Sequence, residues 1–175
     1  MKSRVKRHTV VQPQDQSYRL IPLTKNQNSI IDTEDFKCIS QWNWQAMWNE
    51  RSKTFYARRS IKGKKEIWMH RFILNCASSE QTDHANGNGL DNRRENLRKC
   101  TNQQNQRNRM VQCNNSLGFK GVCRTVTKNN RYRAYIYCNK KQYSLGSFAT
   151  PEEAAHAYNR AAKELHGEFV RLNPQ

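Results

Sequence analysis

Asp83 and His84 are neighbours in the chain, Asn96 follows the histidine by twelve residues, and Asn105 follows Asn96 by nine. A carboxylate, an imidazole and carboxamides in a basic setting suit the hydrolysis of a phosphodiester. That reaction needs a nucleophile, a group to handle its proton, and positive charge where negative charge grows on the phosphate and the leaving oxygen. An imidazole with a reference pKa of about 6.5 is neutral and basic at physiological pH, so His84 is the candidate base. On an extended chain Asp83 and His84 point to opposite sides, which separates their duties. Arg93, Arg94, Arg98, Arg107 and Arg109 surround these positions and are candidates to clamp phosphates.

Several elements must position these groups. Gly87 and Gly89, set among asparagines, suit a tight loop that needs positive φ. Thr101 is placed as a helix N-cap, with Asn105 about one turn inside. Upstream, the patterning predicts strands over 18–23, 55–60 and 66–69 and short helices over 32–40 and 70–75. Trp42, Trp44, Trp48 and Trp68 are expected in a core. Arg58, Arg59, Lys62, Lys64 and Lys65 read as a hairpin-borne basic patch for a DNA backbone, and residues 1–7 as a flexible arm.

Residues 111–116 lack periodicity and read as a linker. Beyond them, alternation over 131–137 puts Tyr132, Ala134 and Ile136 on one face of a strand and Arg133, Tyr135 and Tyr137 on the other. Thr150-Pro151-Glu152-Glu153 combines an N-cap, a proline at the first helical position and a capping-box glutamate, and Gly167 offers the stop. The helix between them is expected to pack through Ala154, Ala155, Tyr158, Ala161, Ala162 and Leu165, with small alanines that allow close approach to a sheet.

The chain has 175 residues, 35% of them hydrophobic, and a formal charge of +17. So lean an apolar supply favours two small folded units over one large core. The surplus charge attracts polyanions, and both parts share it: 21 basic against 10 acidic residues before Ser116, 10 against 4 from there on. No apolar run approaches the roughly 20 residues of a membrane span, nor does an apolar segment follow the basic start, so a cytoplasmic location is expected. The six cysteines form no C-x-x-C pair; reduced thiols are expected, and a cysteine-built zinc site is disfavoured.

The string from Asp83 through Asn96-Leu97-Arg98 to Asn105 resembles the HNH homing-endonuclease motif, a hairpin and helix that together hold one metal ion. The resemblance implies that Asp83 and Asn105 bind one divalent cation, Mg²⁺ or Mn²⁺, that His84 is the general base, and that Asn96 fixes the loop and the orientation of His84. Asn102 and Asn108 flank Asn105 and leave the identity of the last ligand open. Residues 18–75 resemble the region that precedes the motif in phage and mobile-intron HNH proteins, through Trp42-Asn43-Trp44 and Met69-His70-Arg71, with His70 expected to be structural.

Residues 118–173 resemble the plant APETALA/ethylene-response-factor DNA-binding domain through Gly121-Val122, Leu145-Gly146-Ser147-Phe148, the segment Glu152-Glu153-Ala154-Ala155-His156-Ala157-Tyr158, and Leu172-Asn173. That family lays the outer face of a three-stranded antiparallel sheet in the DNA major groove. Carried over by position, the outward residues are Lys120, Cys123 and Thr125 on the first strand, Arg133, Tyr135 and Tyr137 on the second, and Gln142 and Ser144 on the third. Plant domains carry arginines and a tryptophan where Cys123, Thr125 and Ser144 stand, so the plant target sequence does not transfer.

Together these readings predict an α+β protein: an N-terminal α+β region (1–78), a ββα-metal catalytic motif (79–110), the linker, and a three-stranded sheet on one helix (117–175). The expected function is site-specific cleavage of duplex DNA of the homing type, in a phage-infected or bacterial host cell. The competing class is a non-catalytic DNA-binding regulator with a vestigial motif, which the intact Asp83, His84, Asn96 and Asn105 disfavour. RNA is a weaker partner, because a sheet that fits the B-form major groove cannot enter that of an RNA duplex. With one metal site per chain, a monomer nicks one strand at a time, and a dimer or sequential nicks are needed to cut both.

Overall fold

The computed structural model describes residues 7–61, 66–111, 115–125 and 131–174. It is α+β and divides into two compact units, Met1–Asn105 and Gln106–Gln175. Residues 1–6 of the expected arm over 1–7, Lys62, Lys64 and Lys65 of the basic patch, and 112–114 of the linker lie outside the described residues, while Arg7 donates from Nε to the Trp44 carbonyl at 2.9 Å.

In the first unit, β1 (Tyr18–Pro22) and β2 (Asn28–Asp32) form an antiparallel hairpin whose turn carries Lys25 and Asn26 at positive φ. Helix α1 (Thr33–Ile39) follows directly. Strands β3 (Gln45–Asn49), β4 (Thr54–Arg59) and β5 (Ile67–Trp68) make a second antiparallel sheet, and α2 (Met69–Ile73) leaves its edge. Next come β6 (Gln81–His84) and β7 (Leu97–Cys100), paired antiparallel, and then α3 (Asn102–Arg107). One core joins the upstream elements to the β6–β7 hairpin: Leu23, Ile31, Ile39, Trp44, Ala57 and Met69 are buried together with Leu90 and Leu97 of that hairpin, while α3 buries no residue. The upstream region and the hairpin therefore fold as one body, because neither has apolar surface enough for a separate core.

Of the four tryptophans only Trp44 is fully buried, its indole Nε1 donating to the Ile39 carbonyl at 2.9 Å. Trp42 and Trp48 are exposed, which corrects the expectation of a four-tryptophan core. Trp42 instead lies under the Arg59 guanidinium, 4.0 Å from ring centroid to carbon, with Trp44 and Phe72 also facing that cation. Arg59 is thus buried against aromatic rings, where cation–π attraction replaces water, and Arg58 pairs with Glu66. Neither is presented as the open basic patch read from the sequence.

In the second unit, β8 (Val122–Arg124), β9 (Tyr132–Cys138) and β10 (Lys141–Phe148) form an antiparallel sheet in the order β10-β9-β8, packed on α4 (Pro151–His166). Thr150 caps α4 by accepting from the Glu153 amide at 3.2 Å. Val122, Ala134 and Ile136 meet Ala154, Ala155, Tyr158 and Ala162 in the core. Leu165, expected on that face, is exposed, and His166 takes the last buried position, its Nε2 lying 3.0 Å from the Tyr137 carbonyl oxygen. Gly121, at positive φ, lies where an added Cβ would strike the Tyr158 ring and the Tyr135 carbonyl. Asn173 closes the unit: its side chain bonds both main-chain polar groups of Lys120, and its own main chain bonds the Asn159 side chain. Cys38, Cys76, Cys100, Cys123 and Cys138 are free thiols, and no helix among the described residues is long and apolar enough to cross a membrane.

Candidate active site

The β6–β7 hairpin sets the geometry. Asp83 faces Arg98 across the ladder and His84 faces Leu97, so the two neighbours occupy opposite sides as the pleat requires. The Arg98 guanidinium donates to Asp83 Oδ2 from Nε at 2.9 Å and from Nη2 at 2.6 Å. This arginine, expected on phosphate, neutralises a buried carboxylate in this structure. His84 is buried with its ring edge-on to His70 (centroids 5.0 Å apart) and to Tyr56 (5.6 Å). Burial holds its pKa below the ordinary value, while the Asn92 hydrogen bond and the charges of Asp83 and Asp91 pull it back up. His70, also buried, is pushed down to about 3 by desolvation, with the His84 and Arg71 charges adding to it.

The long connection from β6 to β7 is a polar structure with its own bonding. Asn96 bridges two points of it: its Oδ1 accepts from the Asn86 amide at 2.9 Å, and its Nδ2 donates to the Asp91 carbonyl at 2.7 Å. The side chain hydrogen-bonded to His84 is not Asn96 but Asn92, with Oδ1 3.2 Å from Nε2. Asp91 is the hub: its buried carboxylate receives both Nε and Nη2 of Arg93 at 2.8 Å and Nδ2 of Asn86 at 2.9 Å, and the Arg93 hydrogen bond chiefly holds its pKa down. The loop is stitched to β2, where the Ile30 amide donates to the Leu90 carbonyl and the Asn92 amide to the Ile30 carbonyl. Gly87 has the expected positive φ. Gly89 does not, and its reason is space: an added Cβ would lie 2.5 Å from the Phe55 carbonyl and 2.6 Å from the Tyr56 ring.

Thr101 caps α3 through a capping box, Thr101 Oγ1 accepting from the Gln104 amide at 3.2 Å and Gln104 Oε1 from the Thr101 amide at 2.8 Å. Asn105 sits half-buried in that helix, its amide bonded to the Thr101 carbonyl; Asn102 is exposed and Asn108 buried.

The arginines depart most from expectation. Arg93 is committed to Asp91 and Glu95, and Arg94 to Glu34 and Asp35. Each lies near carboxylates contributed by its own loop or by α1, and ion pairing there competes with phosphate. Arg107 is half-buried, and its carbonyl accepts from Lys120 Nζ at 2.8 Å. Lys120 also donates to the Arg171 carbonyl, and burial draws its ammonium down to about 8; it is spent on main-chain carbonyls rather than displayed outward. Thr125 lies just past β8 and donates from its hydroxyl to the Arg131 carbonyl at 2.7 Å. The remaining sheet residues do share one face: Cys123 lies opposite Arg133, Tyr135 opposite Ser144, and Tyr137 opposite Gln142. Arg133, Tyr137, Gln142 and Ser144 are exposed, Tyr135 stacks edge-on to Tyr137, and the Tyr137 hydroxyl donates to Gln142 Oε1 at 2.9 Å.

Sequence reasoning missed Ser29, Tyr56, Asp91 and Asn92. Only Asp91-Asn92 carried a signal, as polar residues beside a glycine-rich loop.

A hairpin with an Asp-His pair, followed by a capped helix bearing Asn105, is the arrangement of one nuclease class. Residues 78–107 match the HNH endonuclease family model. The chain is also 30% identical over 162 residues, 89% of its length and 80% of the relative's, to an uncharacterised HNH endonuclease of Acanthamoeba polyphaga mimivirus. No solved structure matches it. The chain belongs to the HNH endonuclease family.

Proposed function

We propose that the protein is a site-directed endonuclease of the homing type that hydrolyses phosphodiester bonds in duplex DNA with one divalent ion. The observation that carries this reading is the burial of His84 on the hairpin beside Asp83, with its pKa held down by desolvation. A histidine kept neutral in this way is ready to accept a proton.

The donor set suits a hard cation. Asp83, paired with Arg98 in this structure, has a carboxylate and Asn105 a carboxamide oxygen; such hard oxygen donors match Mg²⁺ or Mn²⁺, which would share the Asp83 carboxylate with Arg98. Asp83 and Asn105 would hold the ion, which when bound supplies positive charge against the phosphate and the leaving oxygen. His84 takes a proton from water, the hydroxide oxygen forms a bond to phosphorus, and the ester oxygen departs with the electrons of the broken bond. Asn96 keeps the loop closed behind this centre.

Target choice falls to the outer face of β8–β10, the APETALA-like sheet, through Arg133, Tyr135, Tyr137, Gln142 and Ser144. Alternate residues of adjacent strands there offer a guanidinium for phosphate and hydroxyl and amide groups for base edges.

The test is incubation of the full chain with a duplex library and Mg²⁺, followed by sequencing of both strands' ends. Cutting at a defined site is expected, abolished by EDTA and reduced at least about 100-fold in His84→Ala, with DNA binding retained. A wild-type chain that binds one sequence tightly and never cuts it would leave only the regulator reading.

A further inference from the structure

Asp83 and Arg98 stand opposite each other in the β6–β7 ladder, and both side chains are largely withdrawn from water, at 8% and 17% exposure. The guanidinium gives one carboxylate oxygen, Oδ2, two donors, Nε at 2.9 Å and Nη2 at 2.6 Å. Register as well as charge sets this contact, because the preceding Leu97 is anchored in the core and turns Arg98 to the side of Asp83. A carboxylate this dry needs a counter-charge. Arg98 supplies it, and the pair is neutral. Arg93 and Arg94 are committed to other carboxylates, Asp91 and Glu95 for the first, Glu34 and Asp35 for the second. Of these three arginines, Arg98 is the one that meets the carboxylate proposed to hold the ion. A dication joining a neutral pair leaves its double charge uncompensated, since Asn105 adds only a neutral oxygen. Two positive groups on one half-dry carboxylate repel far more than they would in water.

We infer that Arg98 is a positioning residue, the resident counter-ion of Asp83, which holds the carboxylate in the free chain and opposes the divalent ion there until a phosphodiester arrives. The inference rests on the proposed role of Asp83 as a ligand. A phosphodiester restores the balance in two ways. It brings a negative charge, and its two non-bridging oxygens offer a guanidinium the same two-pronged acceptor as a carboxylate. Arg98 can therefore leave Asp83 for the substrate without losing a partner, and the ion then meets a carboxylate it no longer shares. Binding of the ion and binding of the duplex favour each other by the same factor, as linkage requires.

The experiment is titration of the full chain with Mn²⁺ alone, read by the paramagnetic resonance signal of the free ion and by the rise in melting temperature that binding causes. Arg98→Gln, in a chain shown by circular dichroism to keep its fold, should bind Mn²⁺ about 10-fold more tightly than the wild type. Arg98→Lys, which keeps the charge and loses the fork, should bind like the wild type, and Asp83→Asn should abolish binding in either background. Mixed-sequence duplex added at low salt should narrow the gap between wild type and Arg98→Gln, because it relieves only the chain that has the arginine. Equal affinity in a folded Arg98→Gln, Mn²⁺ binding that survives Asp83→Asn, or a gap that duplex leaves unchanged would overturn the inference. If Arg98→Gln does not fold, the Arg98 Nε–H resonance of the ¹⁵N-labelled wild type decides. It should shift as Mg²⁺ is added, and a resonance that stays in place while the ion binds at Asp83 refutes the competition. The proposed function fails separately. Tighter Mn²⁺ binding in Arg98→Gln with no cutting of any library duplex removes the endonuclease reading alone, whereas cutting with equal affinities removes only the role of Arg98.

Discussion

The β6–β7 connection and the outer face of the C-terminal sheet are both built from polar side chains, yet they use them in opposite ways. Around His84 the side chains of Asp91, Asn92, Asn96 and Ser29 are withdrawn from water and bonded to their neighbours: Asp91 to Arg93 and Asn86, Asn96 to two main-chain groups, Asn92 to Ser29. On the sheet, Arg133, Gln142 and Ser144 stand in solvent, and Tyr137 is 58% exposed. A group that must hold one protonation state needs a fixed, dry surrounding, whereas a group that must meet a varied partner needs reach. The two regions should therefore answer mutation differently, the first through stability and chemistry, the second through binding alone.

Removing the hub of the buried network should give the largest effect. Asp91→Ala deprives Arg93 of its bidentate partner and Asn86 of its acceptor, and should cost about 3 kcal/mol of unfolding free energy, read by chemical denaturation. Recovery of that loss by a second change, Arg93→Leu, would sharpen the contrast, since the penalty of the single variant lies partly in the stranded cation.

Acid should separate the regions next. His70 is folded with a pKa of about 3 against about 6.5 in the unfolded chain. Above the unfolded value both states are neutral and the group costs nothing. As pH falls from there toward the folded value, the unfolded chain binds a proton that the folded chain refuses, and stability declines by about 1.4 kcal/mol per pH unit at most. Replacing His70 with Gln should flatten that acid limb in a pH series of denaturation curves; an unchanged limb would mean that other groups carry it.

The smallest effect on folding belongs to the sheet. Arg133→Ala should change stability by no more than about 0.5 kcal/mol, while lowering DNA affinity and reducing the slope of log affinity against log salt by about one if it touches a phosphate. A destabilised Arg133→Ala, or one with unaltered affinity and salt slope, would erase the distinction between the two regions.

The elements that could be read from the chain were those whose burial follows a simple period. The β9 alternation and the Thr150-Pro151 start of α4 appear where the patterning places them, because one face of each packs on alanines and isoleucine. Strand β2 escaped detection because Ser29 occupies an inward position that alternation expects to be apolar. Leu165 was assigned to the packed face of α4 by its spacing, but the helix ends there on His166, whose hydrogen bond to the Tyr137 carbonyl takes the place. The arginines misled for a related reason: a positive charge in a basic chain reads as a phosphate contact until the carboxylates of α1 and the loop are brought beside it.

Residue type and spacing by themselves determined the kind of chemistry available, an imidazole beside a carboxylate with carboxamides at fixed intervals, since donor and acceptor identity belongs to the side chain and not to the fold. They also fixed the basic surplus and the starts of the two capped helices, α3 and α4, which depend on local side-chain hydrogen bonds. Which partner each group takes was decided only by the tertiary structure. Asn92 rather than Asn96 meets His84, Arg98 meets Asp83, and Arg59 meets tryptophan instead of solvent. Such pairings depend on how strands distant in sequence approach one another, and β2, in bringing Ser29 to Asn92 across 63 positions, supplies the buried contact that no local pattern encodes.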